Sequence, residues 1–253
     1  MKNSHAVAPA PNLARSALRC SRASPNASVA MFLRMALLVC ATVSAAENPA
    51  TNNKLIEYGW DVPTPLQMRD VLVGMEQRPF DGLIFRLNGG HNAFVTQPLD
   101  SAKFGEDERA LRELRFTRFV HNFVLVWGSP PAGFDWFDDT QWSVIEGNAS
   151  VLVRVAQAGR PAGICFDPEP YDFSLWHYAK QARAKEHSFA DYRSKVRQRG
   201  AQLMRVFERQ MPGATILTFF HVSLFDRYAM LSEAARADRL EKESWGLMPD
   251  FFV

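Results

Sequence analysis

Cysteine is scarce in this sequence, and acidic residues are missing altogether from its first 46 positions. Three cysteines in 253 residues cannot build the disulfide framework of a small secreted scaffold. Glycine and proline, at 14 and 15 residues, are too few for a collagen-like or low-complexity chain. No apolar run approaches the roughly 20 residues that a membrane-spanning helix needs, which excludes a polytopic membrane protein. Gly89-Gly90 is not followed by the Lys-Ser/Thr pair of a phosphate-binding loop, and neither His-x-His nor His-Glu-x-x-His occurs. No metal and no cofactor are therefore expected. What is present is ordinary globular material, 47% hydrophobic and 22% charged, enough to bury a core.

The charge is unevenly spread. Residues 1–46 carry five basic side chains (Lys2, Arg15, Arg19, Arg22 and Arg34), so the remainder holds 24 basic against 27 acidic residues, a net of −3. A mildly acidic body argues against nucleic acid as a partner, because phosphate binding needs a basic surface.

Residues 31–46 combine Arg34, an apolar run from Met35 to Val43, and the small residues Ser44, Ala45 and Ala46. This is the pattern of a secretory signal peptide cleaved near Ala46, too short to span a bilayer of roughly 30 Å. An organellar transit peptide is the rival, since the stretch is rich in Arg and Ser. Val39 is too bulky before Cys40 for a lipoprotein signal. Residues 1–30 read as an unstructured extension or an over-extended start, with Met31 the natural initiator. The expected mature protein is secreted or periplasmic, keeps no membrane span, and retains Cys165 alone as a buried apolar residue.

From residue 54 onward short apolar runs alternate with amphipathic stretches. Strands are expected over 55–61, 80–88, 118–127, 162–169 and 214–221. Helices are expected after Pro65, from Asp138 to about Ala158, and from a Ser188 cap to about Gln210. Strands separated by helices imply parallel crossovers, in an α/β fold. A doubly wound sheet and a (β/α)8 TIM-type barrel both fit this order. The barrel is favoured because each polar cluster falls just after a strand, where such barrels carry their active face. A full barrel takes about 250 residues, so residues 47–253 are expected to form a partial one, C-terminally truncated after five to six strands. The apolar ending at Phe251-Phe252-Val253 then reads as the approach to a sixth strand.

The segment Gly163-Ile-Cys-Phe-Asp-Pro-Glu-Pro-Tyr171 carries the clearest chemistry. Asp167 and Glu169 are two apart on an extended stretch and face one side, and the flanking prolines keep the backbone out of helix. Adjacent carboxylates raise the proton affinity of one of them, which suits one group to give a proton while the other stays charged. Tyr171 lies at the next alternate position. The plainer reading is helix capping or pairing with Arg and Lys. Glu57, Trp60 and Asp61 at the first strand end, Asn88 and His91 in the glycine loop, Trp127 after the third strand and His221 after the fifth are candidates for lining a sugar site. For the tryptophans, Trp136 and Trp142 included, core burial is the commoner fate. His121 falls inside the third strand, and Asn148-Ala-Ser150 is a glycosylation sequon within an expected helix.

The Phe-Asp-Pro-Glu-Pro-Tyr segment after a fourth strand, the opening Glu-Tyr-Gly-Trp-Asp and the Phe-Asp-Gly-Leu-Ile-Phe strand together resemble glycoside-hydrolase-like (β/α)8 barrels, including uncharacterised secreted bacterial members, over residues 54–253. In chitinase-type barrels an Asp-x-Glu ends the fourth strand. The resemblance thus implies Glu169 as proton donor and Asp167 as its helper, acting on a carbohydrate substrate. Where the fuller chitinase pattern has further aspartates upstream, this strand has Gly163, Ile164, Cys165 and Phe166, a departure that puts chitinase specificity in doubt. Two other classes fit the same residues. One is a non-catalytic carbohydrate-binding barrel or inactive fragment. The other is a metal-dependent hydrolase using His91, Asp167, Glu169 and His221.

Overall fold

The computed structural model describes residues 53–253 apart from Trp60, Asp172 and His221. The signal segment and two of the candidate site residues, Trp60 and His221, lie outside the described residues.

Five strands, β1 (Ile56–Glu57), β2 (Gly82–Phe85), β3 (Phe123–Trp127), β4 (Gly163–Asp167) and β5 (Thr215–Thr218), form one sheet in the order β1-β2-β3-β4-β5. Every pairing is parallel. Sequential order with parallel pairing winds the chain in one direction, which excludes the doubly wound alternative, whose strand order reverses at a switch point. The sheet curls into a half-barrel. The Tyr58 ring, just past β1, reaches the Phe219 ring just past β5, with centroids 4.5 Å apart.

The strands are apolar on both faces because each face meets a different layer. Leu83, Phe85, Val124, Val126, Ile164 and Phe166 belong to the large core shared with the helices. Ile84, Phe123, Leu125 and Cys165 form a smaller cluster with Leu217 and Phe219, without helical residues, on the concave face. Cys165 is a free thiol there, and burial pushes it up to about 12.

The helices begin where their caps dictate. In α1 (Pro65–Met75) Thr64 and Gln67 form a reciprocal capping box with Pro65 at the first helical position. Asp138 accepts from the amides of Thr140 and Gln141 to start α3 (Asp139–Ala156). Ser188 and Asp191 make a second capping box on α4 (Phe189–Gln210). Between β2 and β3 lies α2 (Gly105–Glu113), and after β5 comes α5 (Glu233–Lys242). His121 precedes β3, which starts only at Phe123, so its expected place within that strand is corrected.

The expected sixth strand is also corrected: Met248–Phe251 is a helical turn, α6. Asp250, 2% exposed, receives Arg193 Nε at 2.7 Å and Arg197 Nη2 at 2.5 Å from α4. Gly200 supplies the space: a Cβ there would sit 2.0 Å from the Phe251 carbonyl oxygen. Ion pairs to a buried carboxylate and a close backbone approach therefore fold this apolar run onto α4.

Asn148 is occupied. Its side-chain amide donates to the carbonyls of Ala93, Val95 and Gln97 at 3.1–3.3 Å, and its oxygen accepts from Leu99 at 2.8 Å. The sequon asparagine thus pins the loop after β2 to α3, and in the folded protein its nitrogen faces that loop. Asn148→Ala would strand several buried backbone groups. It is expected to cost about 2–4 kcal/mol in chemical unfolding, and a cost below ~1 kcal/mol would mean that the loop re-pairs with water.

Candidate functional site

The C-terminal ends of β1, β4 and β5 surround a cavity of about 510 Å³ lined by Tyr58, Gly59, Asp167, Glu169, Tyr171, Phe219 and Phe220. Its size falls within the usual range for small-molecule sites. Both acids of the Asp-Pro-Glu motif reach it. They do so through a turn rather than a continued strand: β4 ends at Asp167, and the Glu169 amide donates to Asp167 Oδ1 at 3.0 Å.

The loop carrying these acids is held at successive positions. The Gly128 amide donates to the Asp167 carbonyl at 2.8 Å, Trp176 Nε1 to the Pro168 carbonyl at 2.8 Å, and Trp127 Nε1 to the Glu169 carbonyl at 2.9 Å. The Tyr171 amide donates to Ser129 Oγ at 3.1 Å. With Pro168 and Pro170 adding fixed φ angles, the carboxyl groups stand on a braced backbone.

Asp167 is 8% exposed, whereas Glu169 is half-buried. Burial raises Asp167 above the ordinary carboxylate range, the negative charge of Glu169 pushes the same way, and the Glu169 amide opposes both. Glu169 Oε2 accepts the Tyr171 hydroxyl at 2.7 Å. That bond, together with burial, lifts Tyr171 to about 12, and burial followed by the Asp167 charge raises Tyr58. Both phenols stay neutral donors near pH 7. The native protein binds the Asp167 proton more tightly than the unfolded chain does. Its carboxylate therefore costs stability progressively as pH rises from the ordinary carboxylate value to the raised one. Asp167→Asn is expected to melt higher than the parent at neutral pH, with the gap closing in acid. Equal melting temperatures at pH 7 would show that Asp167 ionises without cost.

The other sequence candidates divide. Trp127 packs edge-on against Tyr171 at 5.4 Å, and His91 stacks behind it at 5.8 Å, held neutral by burial and by the Arg86 charge. These two support the site from beneath. Glu57 and Asp61 line a separate hollow beside β1, where Glu57 pairs with Arg78. The Asn88 amide donates at 2.8 Å to Asp107 of α2, which fixes the loop after β2. Trp136 and Trp142 are core residues, 0% and 1% exposed. The cavity adds Tyr58, Phe219 and Phe220, which had no signal beyond their position at strand ends. Among the described residues, no group of three or more His, Cys, Asp and Glu side chains is placed to hold a metal, and no helix is long and apolar enough to cross a membrane.

A larger hollow of about 640 Å³ lies at the opposite end of the strands, beside Arg112, Arg115 and Arg160. Arg112 is paired with Glu108, and Arg115 donates to the carbonyls of Arg112, Glu113 and Leu114 that close α2. Comparison with protein-family models, curated proteins and solved structures finds no match to this chain.

Proposed function

We propose that this protein hydrolyses a glycosidic bond in a poly- or oligosaccharide met outside the cytoplasm, using Asp167 and Glu169 as a coupled acid pair. The observation that carries the reading is the convergence of these two carboxyls, one of them buried with its proton affinity raised, in a cavity otherwise walled by aromatic rings. Aromatic faces suit the C–H faces of sugars, and a carboxyl pair suits cleavage through an oxocarbenium-like transition state. The TIM-type barrel and the export of the chain past its residue 31–46 signal belong to the same proposal.

The proton belongs to the pair. Burial and the neighbouring charge raise the proton affinity of Asp167, and Glu169, the more accessible member, faces the substrate. As the glycosidic C–O bond breaks, the leaving oxygen takes the pair's proton and the remaining negative charge faces the developing positive charge at the anomeric carbon. Water adds to that carbon and returns its proton to the pair. Trp127, His91 and Ser129 hold the loop, and Tyr171 orients Glu169.

The test is reducing-end release from a panel of neutral polysaccharides, run beside glycan-array binding. Hydrolysis is expected. Binding to a glycan with no reducing ends released would select the non-catalytic carbohydrate-binding reading, which the aromatic walls also favour.

A further inference from the structure

Beyond Tyr171 the surface dips again. A second cavity of about 250 Å³ is lined by Pro170, Tyr171, Phe173, Ser174, Ser244 and Trp245. Tyr171 is a wall of both cavities, and so joins the acid site to the second one. A further link runs through Phe220, which lines the acid site and lies against the Trp245 ring with centroids 5.1 Å apart at 30°. Phe220 holds a backbone φ of 52°. A bulky side chain pays for a left-handed conformation, and such outliers cluster at active sites and ligand clamps. Here the ring is aimed between the two cavities, against the indole.

The geometry points to the Trp245 cavity as a second sugar-binding subsite, taking one neutral pyranose ring of the chain whose neighbouring ring occupies the acid site. This rests on the carbohydrate reading given above. The second cavity lies just under the range of about 300–1,000 Å³ typical of drug-sized ligands, room for a single ring. Tyr171, Phe173, Trp245 and Pro170 share its wall with polar groups, which make up the larger part of its exposed lining, a mixture that suits a ring carrying both C–H and hydroxyl groups. The Ser174 and Ser244 hydroxyls are uncharged partners for its hydroxyls. A protein built this way distinguishes an oligosaccharide from a simple glycoside by length, through Trp245.

The experiment titrates the full chain, as Glu169→Gln to prevent turnover, with di-, tri- and tetrasaccharides of the cello-, xylo-, malto- and chito-series, following tryptophan fluorescence and calorimetry. At least one series is expected to tighten about tenfold as the chain lengthens to fill the second cavity. Trp245→Ala is expected to abolish that gain, and Trp245→Phe to keep most of it. Ser244→Phe, which fills the cavity without removing the indole, is expected to abolish the gain as well. The proposal is overturned if no series binds, if affinity does not grow with length, if the growth survives both Trp245→Ala and Ser244→Phe, or if an acidic series such as oligogalacturonate binds more tightly than every neutral one. Reducing-end release by the unsubstituted protein separates the two readings. Length-dependent binding without cleavage removes the hydrolase and keeps the subsite, while cleavage without length dependence does the reverse.

Discussion

Glu169→Gln is expected to lower turnover of a cleavable glycan by about 10²–10⁴-fold, the usual contribution of a positioned proton donor, while the protein stays folded. The amide is nearly isosteric, Glu169 is only half-buried, and its carbonyl still receives the Trp127 indole, so the loop keeps its brace. Asp167→Asn should produce a loss of the same order for a different reason. It preserves an acceptor for the Glu169 amide but removes the buried carboxyl whose proton affinity is raised. Because the two acids act as one unit, the double variant is expected to be little worse than either single one. The pH profile follows from the sign of the Asp167 shift. The pair must hold a proton, burial places that proton above the ordinary carboxylate range, and activity should therefore fall on an alkaline limb displaced upward from about pH 4. Tyr171→Phe should cost less, since it frees Glu169 without removing a carboxyl. Hydrolysis that continues at the parental rate in both Glu169→Gln and Asp167→Asn would end the acid-pair mechanism.

Gly163→Ala is expected to be severely damaging to the sheet, costing about 3 kcal/mol or more. Gly163 opens β4 and pairs with both Phe123 and Thr215. A Cβ there would stand 1.9 Å from the Thr215 carbonyl oxygen and 3.0 Å from the Phe123 ring. The obstacle is backbone, so no rotamer change relieves it, and β4 has to separate from β5 at the site's own support. At about 2–4 °C per kcal/mol for a chain of this size, the melting temperature should fall by roughly 6–12 °C. Gly147→Ala is the control. That glycine is exposed within α3 with nothing within 4 Å of a new Cβ, so alanine should stabilise the helix by about 0.5–1 kcal/mol. If the two alanines behave alike, the close β4–β5 approach is not what Gly163 protects.

Much of the frame was legible in the chain. The strand cores over 82–85, 123–127, 163–167 and 215–218 fall inside the expected runs, because strands buried on two faces are continuously apolar. The caps at Asp138 and Ser188 were readable as well, since a side chain that satisfies a free helix amide acts within three residues of itself. By contrast α2 was missed, as Gly-Glu-Asp-Glu-Arg-Ala-Leu-Arg-Glu offers only Ala110 and Leu111 to the core and so lacks a periodic stripe. The last apolar run was misread as an approaching strand, because a short apolar stretch has no period to tell strand from helix.

Local chemistry was enough to place two carboxyls together at the end of β4 and to start helices on either side of it, since those signals lie within a few residues of one another. The aromatic walls formed by Tyr58, Phe219 and Phe220 come from just past the first and the fifth strands. Only the curl of the sheet, which brings Tyr58 against Phe219, gathers them around those acids. Likewise, the proton affinity of Asp167 is raised by what packs around it, and burial is a property of the assembled sheet.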